Sequence, residues 1–283
     1  MNSGLLLLAI MTAPFLLAVV AIPLEHARPA SPQARASGTH SLTVLVFASV
    51  AYTLLHFTMG ALQAGIVATA SPFQFMSLAA LPIPEWLGFI LCFLLIDLLH
   101  YGLHVLSHSV PVFWRLHKVH HADDQLSALS GLLHHPLEML YVTIVTLIVF
   151  VLVGMPVVVI MAYSAVVGLH AVFSHLNLRM PGALSRSLGW LIVLPDFHRI
   201  HHSARLDEAH GNFGTIFSFW DLLFGTRHAV SAGVAARMKF GLPRAEMTSP
   251  FTLPTLVALP FQSIVETVRA SRDPAPVHRK KRK

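Results

Sequence analysis

The feature that most limits the fold of this chain is a series of apolar runs too long and too poor in charge for a soluble domain. Residues 4–24 are apolar over about 20 positions, enough to cross the hydrocarbon core as a helix. Residues 41–68 form a second run and 86–104 a third. The runs 140–153 and 157–169 are shorter, and Gly154, Met155 and Pro156 separate them. That pair reads as a tight helical hairpin that enters the bilayer and returns. Composition agrees: 55% of residues are hydrophobic and 11% charged, where a soluble domain carries roughly 25% charged. The expected fold class is all-α, an integral membrane protein with about three spans plus a short helical hairpin and a cytoplasmic histidine-rich helical cap.

The first run competes with a cleaved signal peptide, but no basic residue precedes it, and Pro14 and Pro23 interrupt it. Residues 25–40 are rich in Pro, Ala and Ser and read as a linker. The charges give orientation. Basic residues occur at Arg28, Arg35, Arg115, Lys118 and throughout 179–283, and none lies between Ala68 and Trp86 or at 154–156. With three spans and a hairpin, every basic residue falls on one side, which the positive-inside rule makes the cytoplasm. The histidine clusters fall on that side too, and the N-terminus on the other. The runs 188–194 and 251–268 are short and sit at the membrane surface. The tail HRKKRK suits anionic lipid heads rather than nucleic acid. Arg exceeds Lys, and Ala, Val, Leu and Pro abound, a composition typical of a GC-rich bacterial genome, so the expected location is a bacterial inner membrane. In a eukaryote, Lys280 and Lys281 would fit an endoplasmic reticulum retrieval signal. The expected organisation is 1–96 for the first helices and linker, 97–228 for a histidine-rich catalytic domain holding the hairpin at 139–170, and 229–283 for a surface segment and basic tail.

The single cysteine, Cys92, lies inside an apolar run, so thiolate metal sites and intrachain disulfides are excluded and a buried small hydrophobe is expected. The sequence shows no nucleotide-binding glycine loop and no haem attachment motif.

Histidine carries the chemistry. The chain has 19, and the pattern HxxHH occurs twice, at His117, His120 and His121 and again at His198, His201 and His202. Side chains at i, i+3 and i+4 share one helix face. Each motif is therefore expected to project its imidazoles to one side, and His104 and His108 add an i, i+4 pair. Imidazole is the commonest side-chain metal ligand, and two such faces brought together would hold two metals. Close pairs arise by chance among 19 histidines, but the same motif twice, each after a hydrophobic segment, does not. His26, His40, His210, His228 and His278 read as ordinary surface residues.

The pieces DLLHYGLHVLSH, LHKVHH, HHPLE, FSHLN, PDFHRIHH, GNFG and WDLLFGT, in that order over about 97–227, resemble the fatty acid hydroxylase / sterol desaturase superfamily. The resemblance implies a membrane-embedded di-iron oxygenase. It implies His104, His108, His117, His120, His121, His175, His198, His201 and His202 as metal ligands. His170 stands as a further candidate, instead of or beside His175. Around them, Asp97, Asp196 and Asp221 are expected to accept hydrogen bonds from ligating rings, with a turn role for Asp221 as the alternative. Glu138 is a fourth carboxylate candidate. His135, at the HPxE position, and His100, one turn before His104, read as supporting rather than ligating residues. Val105 and Leu133 stand where many members carry Arg, which bears on subfamily and substrate, not on ligands.

Imidazole alone does not name the metal. Breaking an unactivated lipid C–H bond needs an oxidising centre, and zinc has no redox chemistry. The expected cofactors are two iron ions, with zinc as a possible substitute. The expected partners are a lipid substrate from the bilayer and an external electron donor of ferredoxin or cytochrome b5 type. The rivals are a zinc-dependent membrane hydrolase, against which the lack of HExxH speaks, and a non-catalytic metal-binding membrane protein.

Overall fold

The computed structural model describes residues 3–32, 36–69, 82–230, 237–243, 246–247 and 249–262. Residues 70–81, His278 and the basic tail lie outside them. The described residues are helical with isolated β-bridges and no strand. Three long helices come first: α1 (Ser3–Ala27), α2 (Gly38–Thr69) and α3 (Glu85–Ser109). A short α4 (Pro111–His117) follows, then single 3-10 turns at His120–Ala122 and Ala128–Leu132. The hairpin is α5 (Pro136–Val153) and α6 (Val157–Ser174). Beyond it come α7 (Gly182–Leu188), α8 (Pro195–His201), α9 (Leu206–Ala209), α10 (Phe219–Leu223) and α11 (Leu253–Ala258).

Among the described residues, five helices are long and apolar enough to cross a membrane: α1, α2, α3, α5 and α6. The hairpin is present, and its arms are longer than their apolar runs suggest. Pro136, in the first turn, extends α5 upstream, and α6 continues to Ser174. Each arm has 18 residues, or about 27 Å of helix, close to the thickness of the hydrocarbon core. The turn between them follows from its residues. Gly154 takes the left-handed conformation (φ 62°), which costs glycine little, and Pro156 starts the next helix. Helix α1 runs unbroken through Pro14 and Pro23, as neighbouring helices permit in a membrane bundle.

The helices pack around two apolar clusters. One joins α1 and α2 to the 119–133 segment, α6 and α11 through Val44, Phe47, Leu129, Leu132, Val172 and Leu256. The other joins α3 to the hairpin through Cys92, Ile96, Phe150, Val159 and Tyr163, so Cys92 is the buried hydrophobe expected. Between them, Gly131 lies so close to α6 that a Cβ there would collide with the Ala171 carbonyl.

One end of the bundle is tied together by polar side chains. Glu25, near the end of α1, accepts from the amides of Ala128 (2.8 Å) and Asn177 (2.7 Å). His40, at the start of α2, donates to Asp123 (2.7 Å), which also accepts from Ser130 (2.6 Å). His40 is therefore buried, not a surface residue as expected from sequence. The same end receives the C-terminus of α3, the start of α5 and the exit of α6, so the histidine-bearing segments converge there.

Candidate metal centre

Nine histidines gather into two groups, in each of which the ligand atoms lie within 4.8 Å of one another. The first group is His104, His108, His117, His121 and His201; the second is His120, His175, His198 and His202. These are the nine positions expected from sequence. Their distribution differs from the expectation. Neither HxxHH motif serves one group: the i, i+4 pair goes to one and the middle histidine to the other. His117 and His121 join the first group and His120 the second, whereas His198 and His202 join the second and His201 the first. The backbone explains part of this. α4 ends at His117, and His120–Ala122 is a tighter 3-10 turn, so the first motif is not one regular helical face. The two groups adjoin through the rings of His121 and His202, stacked at 4.5 Å.

Five of the nine rings are oriented by a partner at Nδ1. His104 donates to the Phe213 carbonyl (2.8 Å) and His201 to the Gly211 carbonyl (2.8 Å). His120 donates to the Leu133 carbonyl (3.2 Å) and His175 to the Ala171 carbonyl (2.6 Å). His117 donates to the Glu138 carboxylate (2.6 Å). A carbonyl can only accept, so Nδ1 carries the proton in these rings and a neutral ring presents a bare Nε2 lone pair. In the first group, Nε2 of His104, His108, His117, His121 and His201 is buried with no hydrogen-bond partner. In the second, Nε2 of His175 lies 3.2 Å from His120, 3.0 Å from His202 and 3.2 Å from His198. Since His120 and His175 both have Nδ1 committed to carbonyls, two lone pairs face each other there. Buried unpaired acceptors are costly. A cation between them removes that cost, so both groups fit a metal ion.

Protonation does not compete with such an ion at neutral pH. Burial, first, pushes the pKa values of His120, His121, His198, His201 and His202 well below the ordinary imidazole value, and the charges of neighbouring imidazoles push the same way. His175 is lowered to about 3, again by burial first. Neutral imidazole is the ligating form.

The supporting residues fall differently from expectation. Glu138 does back a ring of the first group, and it also lies 3.3 Å from Nδ1 of His134. Asp97 touches no histidine: it accepts from Trp220 (2.9 Å), Tyr163 (3.0 Å) and the amides of Ile216 and Phe217. Asp196 pairs with Ser185 and Arg199. Asp221 accepts from the amides of Phe213 and Gly214 (both 2.8 Å) and from Thr226 (2.6 Å), the turn role named as its alternative. It thereby acts one step out, since it holds the loop whose Phe213 carbonyl orients His104. His135 caps α5 through Leu137 and sits near Phe47 and Phe261. His100 contacts Thr146 (3.2 Å) and Tyr163. His170 stands outside both groups, beside Phe173.

Two features went unread. His134 stacks on His120 at 4.2 Å with only 12° between the rings; its signal was its i, i+4 spacing to Glu138. The other is the loop 211–214. Asn212 adopts a left-handed backbone (φ 58°) and is locked by its side chain to Phe197, His228 and the His228 amide. The carbonyls of Gly211 and Phe213, on either side of it, thus reach His201 and His104.

A cavity of about 280 Å3 opens beneath the histidines between α2, α3, α5 and α6. His104 and His117 of the first group and His120, His175 and His198 of the second line its head. Leu55, Leu103, Met139, Val142 and Val167 make its walls apolar.

Residues 89–226 match the model of the fatty acid hydroxylase family. That region is just under half of the chain, and it is what the chain shares with the family. It is similar to methylsterol monooxygenase 2-2 of Arabidopsis thaliana, 27% identical over 52% of this chain and 56% of that protein. It is also similar to a very-long-chain aldehyde decarbonylase of Oryza sativa subsp. indica, 29% identical over 54% of this chain and 59% of that protein. The chain thus spans a little over half the length of these curated relatives. No solved structure matches it. The matched region takes in both histidine groups, most of α3, and all of α5 and α6.

Proposed function

We propose that this protein is a membrane-bound di-iron oxygenase that hydroxylates or desaturates a lipid. The observation that carries the reading is the pairing of two adjoining all-histidine groups with an apolar cavity running from them into the bundle. His104, His108, His117, His121 and His201 would hold one iron, and His120, His175, His198 and His202 the other. When bound, the iron pair supplies dioxygen activation and the oxidising power that an unactivated C–H bond requires.

The chain's own residues do the rest. Carbonyls and Glu138 fix the rings of His104, His117, His120, His175 and His201, so those ligand atoms need no rearrangement. The apolar walls hold an alkyl segment against the histidines and keep bulk water away from it. In hydroxylation, R–H, O2, two electrons and two protons give R–OH and water; in desaturation a second hydrogen is removed and two waters form. A ferredoxin or cytochrome b5-type protein would supply the electrons from the face that bears the histidines, on this reading the cytoplasmic face of a bacterial inner membrane.

Elemental analysis of the purified chain, as isolated and after reconstitution with ferrous iron, tests the centre. Two irons per chain, followed by oxygen- and reductant-dependent appearance of a hydroxylated or unsaturated lipid in extracts, is the expected result. Stoichiometric zinc that ferrous iron never replaces, with lipid turnover in the absence of oxygen, would favour hydrolysis instead. No bound metal after reconstitution would remove the reading.

A further inference from the structure

A second cavity, of about 700 Å3, lies on the outer side of α8, away from the candidate metal centre. Three arginines line it, Arg179, Arg199 and Arg227, against one carboxylate, Asp196. Arg199 is buried and shares Asp196 (3.2 Å) and the Asn177 amide oxygen (3.4 Å). Arg227 donates to the Gly189 carbonyl (3.1 Å) and lies over the Phe197 ring, 5.2 Å from its centroid. Arginine stays protonated and presents a planar fork of donors that matches phosphate oxygens. The pocket therefore keeps an excess of positive charge with spare donors. Its remaining walls include apolar Met180, Leu194 and Ile200.

Its surroundings set the level of its mouth. Phe224 stacks on Tyr101 of α3 at 5.3 Å, and Trp220 bonds Asp97 one turn deeper. Both α3 residues lie inside a candidate span, so α10 runs alongside it. Leu222, Leu223 and Phe224 are nonetheless exposed, as are Leu188 and Trp190 beside Gly189. An exposed apolar belt with a tryptophan, next to arginines, is the signature of the boundary between hydrocarbon and headgroups.

We infer that this groove binds a phosphate-bearing anion, with the phosphodiester of a net-anionic phospholipid as the source the belt favours. The bond to Asp196 and Asn177 keeps Arg199 in place, and Arg179 and Arg227 close on the phosphate from the sides. The site is independent of the proposed oxygenase chemistry.

The test uses the full chain purified in detergent. It is titrated with short-chain phosphatidylglycerol, with phosphatidylcholine of the same acyl length, and with inorganic phosphate. Native mass spectrometry counts bound molecules and thermal melting follows protection. The expected result is binding of phosphatidylglycerol at roughly tenfold lower concentration than phosphatidylcholine, with the preference lost in Arg179→Gln plus Arg227→Gln. Protection by inorganic phosphate equal to that by phosphatidylglycerol would overturn the lipid source and leave a soluble phosphate as the ligand. Equal binding of the two lipids by the unmodified chain, or a preference retained in the folded double variant, would overturn the site. Should the double variant fail to fold, Arg179→Gln alone decides: Arg179 is exposed, and an undiminished preference in that variant overturns the proposal.

Discussion

The two histidine groups are built from the same residue type, yet they are held differently. In the group of five, His104 and His201 lean on main-chain carbonyls, His117 leans on a carboxylate, Glu138, and every Nε2 is buried without a partner. In the group of four, His120 and His175 lean on main-chain carbonyls, and Nε2 atoms crowd to 3.0–3.2 Å. A carboxylate behind a ligand raises its basicity more than a neutral carbonyl does. The group of five therefore has more donors and one negatively charged support. The group of four depends on backbone placement and has no donor to spare. Identical ligands thus do not make equivalent sites.

The largest effect should come from cutting both groups at once. His201→Ala with His202→Ala removes one donor from each and is expected to leave at most one metal equivalent and no turnover, read by elemental analysis and product formation. Separately, the two changes should be unequal. His202→Ala reduces the smaller group to three donors and empties it, whereas His201→Ala leaves four in the larger group and retains metal there. Equal losses would break the comparison.

A smaller, one-sided effect is expected from Glu138→Gln. Loss of a carboxylate behind a metal ligand typically costs about 10–100-fold in metal affinity. The loss should be confined to one metal equivalent, seen in competitive chelator titration; loss of both equivalents together would mean that the groups act as one.

pH sharpens the same point in the metal-free chain. Folded imidazole pKa values in both groups lie below the unfolded value of about 6.5. For such a base the unfolded state takes up protons first as pH falls. Thermal stability of the apoprotein should be fully present above about pH 6.5 and should fall progressively toward pH 3, the level to which burial lowers His175. Bound metal should flatten that dependence. A melting temperature that stays level from pH 7 to 4 without metal would contradict the burial of neutral rings.

The smallest effect on metal should come from Asp97→Asn. Its four donors are Trp220, Tyr163 and two amides, none a histidine. The change is expected to cost on the order of 1–3 kcal/mol of stability with metal content unchanged. Metal loss at constant folding would restore Asp97 to the support of the centre.

Much of this was legible in the chain. Apolar run length announced the long helices, and Gly154 with Pro156 announced the hairpin turn. The histidine spacings, with the resemblance, named the nine positions that converge. What could not be read were the partners of those rings. Among the four carboxylate candidates, Glu138 alone bonds one of the nine rings. Asp97 and Asp221 instead tie the 213–221 segment to α3 and to itself, and carbonyls of Phe213, Gly211, Leu133 and Ala171 do the orienting. A carbonyl has no sequence signature, because every residue carries one. Likewise His40 looked like a surface residue because its partner, Asp123, lies far along the chain.

By itself, then, the sequence determined the helical membrane architecture and the supply of imidazoles, because both rest on local period and on the length of apolar runs. Only the tertiary structure decided the partition. Each HxxHH motif is shared between two groups because α3 and the 211–214 loop approach it from one side and the exit of α6 from the other. Spacing tells which side chains share a face; which lone pairs meet depends on the rigid placement of helices distant in sequence.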